Sequence, residues 1–376
     1  MQKGAAGAGF VALGSLAGCS GGDSGDDGTP TGDETSTGDG TPTGGETETP
    51  GGDVPGTGSG LDPASVIPAQ AGAVVSVDMQ AMLDDNDLRD VVNMGLSELA
   101  SFGQGSTFPE DVESAIEMAR EEVDLDPTGF NEGLLFMEVE SSGTDEDYAG
   151  MVMETDWSED ELIGVLDSMG ISEPEQSEYG GKTIYSAPDS DDSGMAVLSD
   201  GQYAIGSMDV IEDVVDVSNG DGEAVAGELA TLYNDATDGH MEFATVVPDD
   251  ALTAEDFSTD EITIESVGEI EYMSGSVYKT DSTYGVETSM WAGDAASDLK
   301  EDIDAALTLV PQFDDVEDEL ATRIEEIQVE TSGQTVTMSY EEDIAEVKSY
   351  AEEYVNQLVV LLMLGAGGSF SPSTTV

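Results

Sequence analysis

Acidic side chains outnumber basic ones by 83 to 8 in this chain, a formal charge of −75 at neutral pH. Any fold it adopts must spread that charge over its surface and has few cations with which to answer a buried carboxylate. Two kinds of chain tolerate such a balance. One is too poor in apolar residues to offset chain entropy and stays disordered. The other has an adequate core and a surface suited to high salt. Hydrophobic residues make up 38% of this sequence, and beyond residue 60 they recur at helix and strand periods, which selects the second kind. At molar salt the Debye length is about 3 Å, whereas dilute buffer leaves neighbouring carboxylates to repel and strain the fold. The expectation is a folded, salt-adapted protein. The same balance argues against nucleic-acid partners, which require clustered Lys and Arg, and against direct attraction to an anionic membrane. Arg89, Arg120, Lys182, Lys279, Lys300, Arg323 and Lys348 are scattered singly along the chain.

The lone cysteine, Cys19, closes the run Leu16-Ala17-Gly18-Cys19 behind the apolar stretch Gly9–Leu16. A short apolar core ended by small residues and a cysteine is the layout of a lipoprotein export signal. Lipidation of Cys19 would convert a soluble chain into an anchored one. Residues 20–60 are almost entirely Gly, Thr, Asp, Glu, Ser and Pro, a tether without core-forming residues. Its flexible span is roughly 35 Å root-mean-square. The expected organisation is therefore a signal peptide over 1–19, a disordered tether over 20–60, and folded halves over 61–238 and 239–364. A disordered tail over 365–376 follows. The signal layout resembles that of lipoproteins of halophilic archaea, although those usually begin with paired arginines and here only Lys3 precedes the apolar core.

The first half opens with the alternating strand Ala73–Met79, then helical segments near 80–102 and 110–122. The turn Asp124–Pro127 precedes strands over Leu134–Glu140 and Ala149–Thr155. In the former, Leu135, Met137 and Val139 read as the buried face and Glu138 and Glu140 as the wet one. Ser158 and Glu161 form a capping box for a helix bearing Leu162, Val165, Leu166 and Met169. Strand Lys182–Ser186 then leads to a hairpin across Asp200-Gly201, and helices over 208–217 and 225–235 close the pass. A similar order follows: strands over His240–Val247, 262–280 and Tyr284–Trp291, two helices, a hairpin at Ser332-Gly333, and a last helix carrying Ile344, Val347, Ala351, Tyr354, Leu358 and Leu361. Strand pairs separated by helices predict an α+β class with two similar halves, each an antiparallel sheet with helices packed on one face.

The Leu125-Asp126-Pro127 turn, the Tyr179-Gly180-Gly181-Lys182 lead into a strand, and Ser199-Asp200-Gly201 followed by Ile205-Gly206-Ser207 resemble features of a group of secreted and lipid-anchored proteins with a duplicated α+β domain. The resemblance spans Pro68 to Thr245 and weakens beyond; it implies a surface protein and no reaction.

Residues suited to catalysis are sparse. The single histidine, His240, follows Asp238-Gly239 and reads as a surface turn residue, while Lys300 and Lys348 read as polar helix-face residues. No G-x-S-x-G, P-loop or H-E-x-x-H occurs, and zinc would lack thiolate or imidazole ligands. Asp189, Asp191, Ser193 and Asp200 have nearly the spacing of a calcium loop, with Gly194 at its sixth position. Met195–Ser199 reads as a strand, however, which favours a plain acidic loop. Leu358–Leu364 is too short to span a bilayer, which needs about 20 apolar residues. These readings predict a non-enzymatic binding or structural module on the cell surface, anchored to the outer face of the cytoplasmic membrane through the lipid on Cys19. No cofactor is expected; other envelope proteins or a small solute are the expected partners. The alternatives are a solute-binding lipoprotein of a transporter, which would have two lobes with parallel sheets, and a secreted hydrolase using paired carboxylates.

Overall fold

A computed structural model describes residues 61–102, 109–123, 125–139, 148–168, 174–188, 193–249, 251–254, 264–313 and 318–351. The chain divides into two units, 1–57 and 58–376, and every described residue belongs to the second.

Its frame is a single antiparallel sheet of twelve strands: β1 (Ala73–Asp78), β2 (Phe130–Met137), β3 (Ala149–Thr155), β4 (Glu175–Tyr179), β5 (Lys182–Ser186), β6 (Gly194–Ser199), β7 (Gln202–Gly206), β8 (Met241–Val246), β9 (Tyr272–Lys279), β10 (Thr283–Trp291), β11 (Gln328–Ser332) and β12 (Thr335–Asp343). Their spatial order is β11-β12-β10-β9-β8-β1-β2-β3-β7-β6-β5-β4. The α+β class is as the sequence predicts. The two expected sheets are one, because β1 pairs with β2 on one side and with β8 on the other. The boundary expected at 238/239 thus falls just before a central strand. Connectivity does repeat: β7 returns to lie beside β3 after the β1-β2-β3 meander, and β12 returns beside β10 after β8-β9-β10. The repeat is unequal, with four returning strands in the first group and two in the second.

Glycines make two of the tight turns possible. Gly180 and Gly181 both have positive φ, 54° and 79°, in the two-residue β4–β5 connection, as a type I′ hairpin requires. Gly201, at φ 78°, serves the same purpose between β6 and β7.

Helices cover both faces of the sheet, not one. The register puts Val74, Leu134, Phe136, Val152 and Ala204 on a common face. There they pack against α6 (Met208–Asn219) through Val210, Ile211, Val214 and Val215, and against Leu229 and Tyr233 of α7 (Gly227–Asp235). The short helix α1 (Pro63–Val66) adds Val66 to this core. Each buried valine or leucine contributes about 1.5–3 kcal/mol. On the opposite face, Leu162 of α5 (Glu159–Ser168) packs with Met153, Tyr185, Met195 and Tyr203. At the other end of that face, Leu299 and Ile303 of α8 (Ala296–Leu309) pack with Met290 and Val336. The capping box forms as expected, Ser158 N–H donating to Glu161 Oε2 at 2.8 Å.

The remaining helices lie on that opposite face or at its rim: α2 (Met79–Asp84), α3 (Asn86–Phe102), α4 (Val112–Val123), α9 (Asp318–Glu326) and a last helix, α10, described over 344–351. In β2 the expected faces are exchanged: Leu134 and Phe136 are buried, while Leu135 and Met137 remain 40% and 46% exposed. The strand is apolar on both sides, so its alternation with Glu138 misleads.

Candidate functional site

Local sequence explains why the chain turns at Asp85. Asp78 ends β1 and caps α2, accepting from Ala81 N–H at 2.7 Å. Asp85 then adopts an extended backbone (φ −77°, ψ 100°), and its Oδ1 accepts from the N–H groups of Asp87 (2.9 Å) and Leu88 (3.2 Å). A helix that supplies its own cap in mid-run stops and restarts. The helix expected over 80–102 is consequently two helices, α2 and α3.

Asp85 does more than cap. Tyr284 OH donates to its Oδ2 at 2.6 Å, His240 Nε2 lies 3.0 Å from the same oxygen, and Lys279 Nζ donates to Oδ1. Lys279 also reaches Asp87 Oδ2 at 2.8 Å. Lys348 of α10 bridges Asp87 (2.9 Å) and Asp90 (2.6 Å). Two of the eight Lys and Arg residues and the only histidine thus meet at one helix start. Burial pushes the Asp85 carboxyl up, but the hydrogen bonds from Lys279 and Tyr284 outweigh it and hold the group well below the usual carboxylate range. Burial and the Asp85 charge push the Tyr284 phenol up. For Lys279, burial acts to lower the pKa and the bonds to Asp85 and Asp87 reverse it. Asp85 and Lys279 each favour the charged form of the other, and the neutral Tyr284 phenol donates to the carboxylate, so the group is an ion-paired clamp. With Asp85 ionised, His240 Nε2 must carry the hydrogen. What the group does, as its contacts show, is attach the start of α3 to β9 and β10.

What the clamp holds is unusual. Among the described residues of 79–123, Asp85 is the one that is buried, at 6% exposure, and no apolar side chain of α2, α3 or α4 is. Other attachments of this three-helix flap include Met79 of α2, half-buried against the cluster of Phe130, Met153 and Leu162, and two polar ones. Asn93 Oδ1 accepts from Val112 N–H at 2.8 Å, joining α3 to α4, and Arg120 pairs with Asp126 at 2.7 Å. On the flap's side of the sheet, Leu135, Met137 and Val286 keep 40%, 46% and 50% of their surface exposed. Leu135 sits directly across from Val75, and Val75 across from Phe243. An apolar strip therefore runs over three central strands, and Leu135 and Met137 in it stay half-exposed.

The other face half-buries carboxylates in a different way. The register sets Glu132 between Asp78 and Glu154, and Glu242 beside Ser76. Among the described residues no cation pairs with either. Leu61 N–H donates to Glu132 Oε2 and Gly239 N–H to Glu242 Oε1, each at 2.9 Å. Burial, reinforced by the charges of Asp78, Glu154 and Glu242, pushes Glu132 up to about 7. Burial likewise raises Glu242.

Cys19, Asp189 and Asp191 lie outside the described residues. Ser193 and Asp200 are separated by the whole of β6, about 20 Å at 3.3 Å per residue, so these two do not meet in one loop. Among the described residues no three acids or histidines converge as metal ligands, and no helix is long and apolar enough to cross a membrane. His240 is not a surface turn residue: its side chain is 13% exposed and bound to Asp85. Lys279 and Lys348, scattered in sequence, meet at Asp87, whereas Lys300 makes only an exposed i,i+4 pair with Asp304. Asp85, Asp87 and Tyr284 had no motif to mark them. The available signal was scarcity, since in so acidic a chain the few cations can each answer more than one acid, as Lys279 and Lys348 do.

No protein-family model matches the chain, and no curated protein matches it. Among solved structures, crystal form III of a protein named TP0453 aligns with a TM-score of 0.40 at 8% identity, over 78% of this chain and 99% of that one. Form I gives 0.37 at 8%, over 81% and 98%. Form IV gives 0.39 at 7%, over 78% and 97%. At this identity the likeness is one of fold alone.

Proposed function

We propose that this protein is a lipid-anchored, non-enzymatic binding module held outside the cell, which takes an apolar ligand between its central strands and the flap α2–α4. The observation that carries the reading is the contrast at the flap: it is fastened by charge at Asp85 while Leu135 and Met137 beneath its side of the sheet stay half-exposed. A cover fastened by a few ion pairs can lift without dismantling a core. The lipobox ending at Cys19 and the tether over 20–60 support display at the outer membrane face. One antiparallel sheet favours this reading over a transporter's solute-binding lipoprotein, which would need two parallel-sheet lobes. The buried acids are bonded to backbone N–H groups rather than lining a cleft, which speaks for a structural use over hydrolysis.

Two measurements test the proposal. Mass spectrometry of the mature N-terminus should find Cys19 first and lipidated; an unmodified Cys19 contradicts the anchor. Titration with a fluorescent long-chain fatty acid in molar NaCl should show saturable binding that Leu135→Asp with Met137→Asp abolishes. Binding unaffected by that pair would place the ligand elsewhere.

A further inference from the structure

The sheet face under α7 changes character as it passes from β1 to β10. Directly opposite residues of antiparallel strands point the same way. The register therefore aligns Ser76, Glu242, Ser276 and Glu287 in one row, and Val74, Ala244, Ser274 and Ser289 in the next. Val74 belongs to the apolar core that α6 and α7 cover. Two strands further on, the same face presents hydroxyls and carboxylates.

The helix α7 packs on β8 and β9, and the chain leaving it runs from Glu287 of β10 past Val277 of β9 into β8. Thr237 N–H and Oγ1 donate to Glu287 Oε1 and Oε2 at 3.3 and 3.2 Å, and Gly239 N–H donates to Glu242 Oε1 at 2.9 Å. Gly239 lies so close to β9 that a Cβ there would stand 2.3 Å from the Val277 carbonyl oxygen. One connection thus ties down the acids on both sides of β9. Between those acids Ser274 and Ser276 are 1% and 2% exposed, and the Oγ of each has no hydrogen-bond partner among the described residues. Ser76, next in the row, differs in bonding to the Tyr233 hydroxyl. A buried hydroxyl left without a partner is costly and calls for an explanation; here two stand side by side.

Their neighbours lack a counter-charge. Among the described residues no lysine, arginine or histidine pairs with Glu242 or Glu287. Burial, joined by the charges of Asp238 and Asp78, raises the Glu242 pKa, and the bonds from Gly239 and Tyr233 only partly offset it. Adjacent strands are about 4.8 Å apart, which sets the Cα atoms of Glu242 and Glu287 about 10 Å from each other across β9. A carboxylate four bonds from its Cα can lean across half of that, so both can meet over Ser276.

We propose that Glu242, Glu287, Ser274 and Ser276 bind one dehydrated alkali cation, Na+ or K+, beneath the connection from α7 to β8. Carboxylate and hydroxyl oxygens suit a hard cation. The ion lets two acids share one positive charge, supplied by the solvent where the sequence supplies none. Calcium takes roughly six to eight oxygen ligands and magnesium keeps several waters. Hydroxyls sealed from solvent, between carboxylates already engaged with N–H groups, offer fewer ligands and no place for a hydrated ion. The inference concerns different residues from the anchoring and flap readings and stands whether or not they do.

The test is thermal unfolding of the full chain in molar NaCl and in tetramethylammonium chloride of equal concentration, whose cation screens charge but is too large to be enclosed. Truncating a serine that has no partner relieves the fold, whereas truncating one that holds an ion removes a ligand. Ser276→Ala is therefore expected to raise Tm by about 2 °C in tetramethylammonium chloride and to lower it by about as much in NaCl. A rise in both salts, or no change in either, would overturn the site and leave a plain buried hydroxyl. Millimolar CaCl2 added to the tetramethylammonium salt should not reproduce the sodium result; if it does, the ion is divalent and the proposal fails. Should Ser276→Ala not fold, Glu287→Gln gives the same readout, with the same reversal of sign expected between the two salts and the same refutation if it is absent.

Discussion

This molecule buries carboxylates at two places and treats them oppositely. At Asp85, on the flap side, Lys279, Tyr284 and His240 converge and the carboxylate is held ionised. At Glu132 and Glu242, on the α6–α7 side, the partners are backbone N–H groups, the Tyr233 hydroxyl at Glu242, and other acids, and the carboxyls are driven toward the neutral form. A chain with 83 acids and 8 bases cannot answer every buried acid with a cation. It spends two lysines and its histidine where the start of α3 is attached. Where the core already holds the strands, it tolerates frustrated acids. A buried charge here marks a joint; a buried neutralised acid marks a place that packing has secured.

The largest effect that could break this comparison is expected from Asp85→Ala. Removing one partner of a buried pair strands the others, a cost of about 3–5 kcal/mol. Because the pair serves only the flap, exchange in α2 and α3 should rise far more than in α6. An equal rise everywhere would mean that the flap is part of the main cooperative unit.

Acidity should separate the two places by sign. The folded Asp85 pKa lies below its ordinary 3.8, so its contribution is complete above that value and is lost as pH falls through the folded one. Glu132 is raised from 4.5 to about 7. Its folded form keeps a proton that the unfolded chain has released, so stability falls as pH rises from 4.5 to 7. Exchange followed from pH 7 to 3, in molar salt, should show the strands around Glu132 gaining protection first and the flap losing it last. Parallel behaviour of both regions would contradict the assignment.

A smaller effect sharpens the second half of the comparison. Glu132→Gln relieves repulsion from Asp78 and Glu154, on the order of 1 kcal/mol for like charges in facing positions. A rise in Tm of about 2–4 °C is expected at pH 7.5, with none at pH 4. The smallest effect is that of Lys348→Met, which removes partly exposed ion pairs to Asp87 and Asp90. About 0.2–1 kcal/mol is typical of such pairs, and the loss should shrink as salt increases, read from the salt dependence of flap exchange.

Much of the fold was legible because its signals are local. The capping box at Ser158 and Glu161, the Asp200-Gly201 turn and the valine stripe of α6 each follow from residues within a few positions of one another. The failures share a different cause. β2 carries apolar residues on both faces, so periodicity could not say which was inside. The joining of β1 to β8 depends on strands far apart in sequence. The clamp is assembled from the α2–α3 break, the approach to β8, the ends of β9 and β10, and α10, with partners up to 261 residues apart (348 − 87). Asp85 looked like one acid among many, and only its neighbours in space distinguish it.

The ionic fastening of the flap at Asp85 is what sets it apart from the α6 side of the sheet. Its most direct test is hydrogen exchange on the full chain in molar NaCl, comparing α3 with α6 before and after Asp85→Asn. The prediction is that α3 exchanges faster than α6 in the native protein and at least tenfold faster still in the variant, while α6 does not change. Equal protection of the two helices, with both affected alike by the substitution, would contradict it.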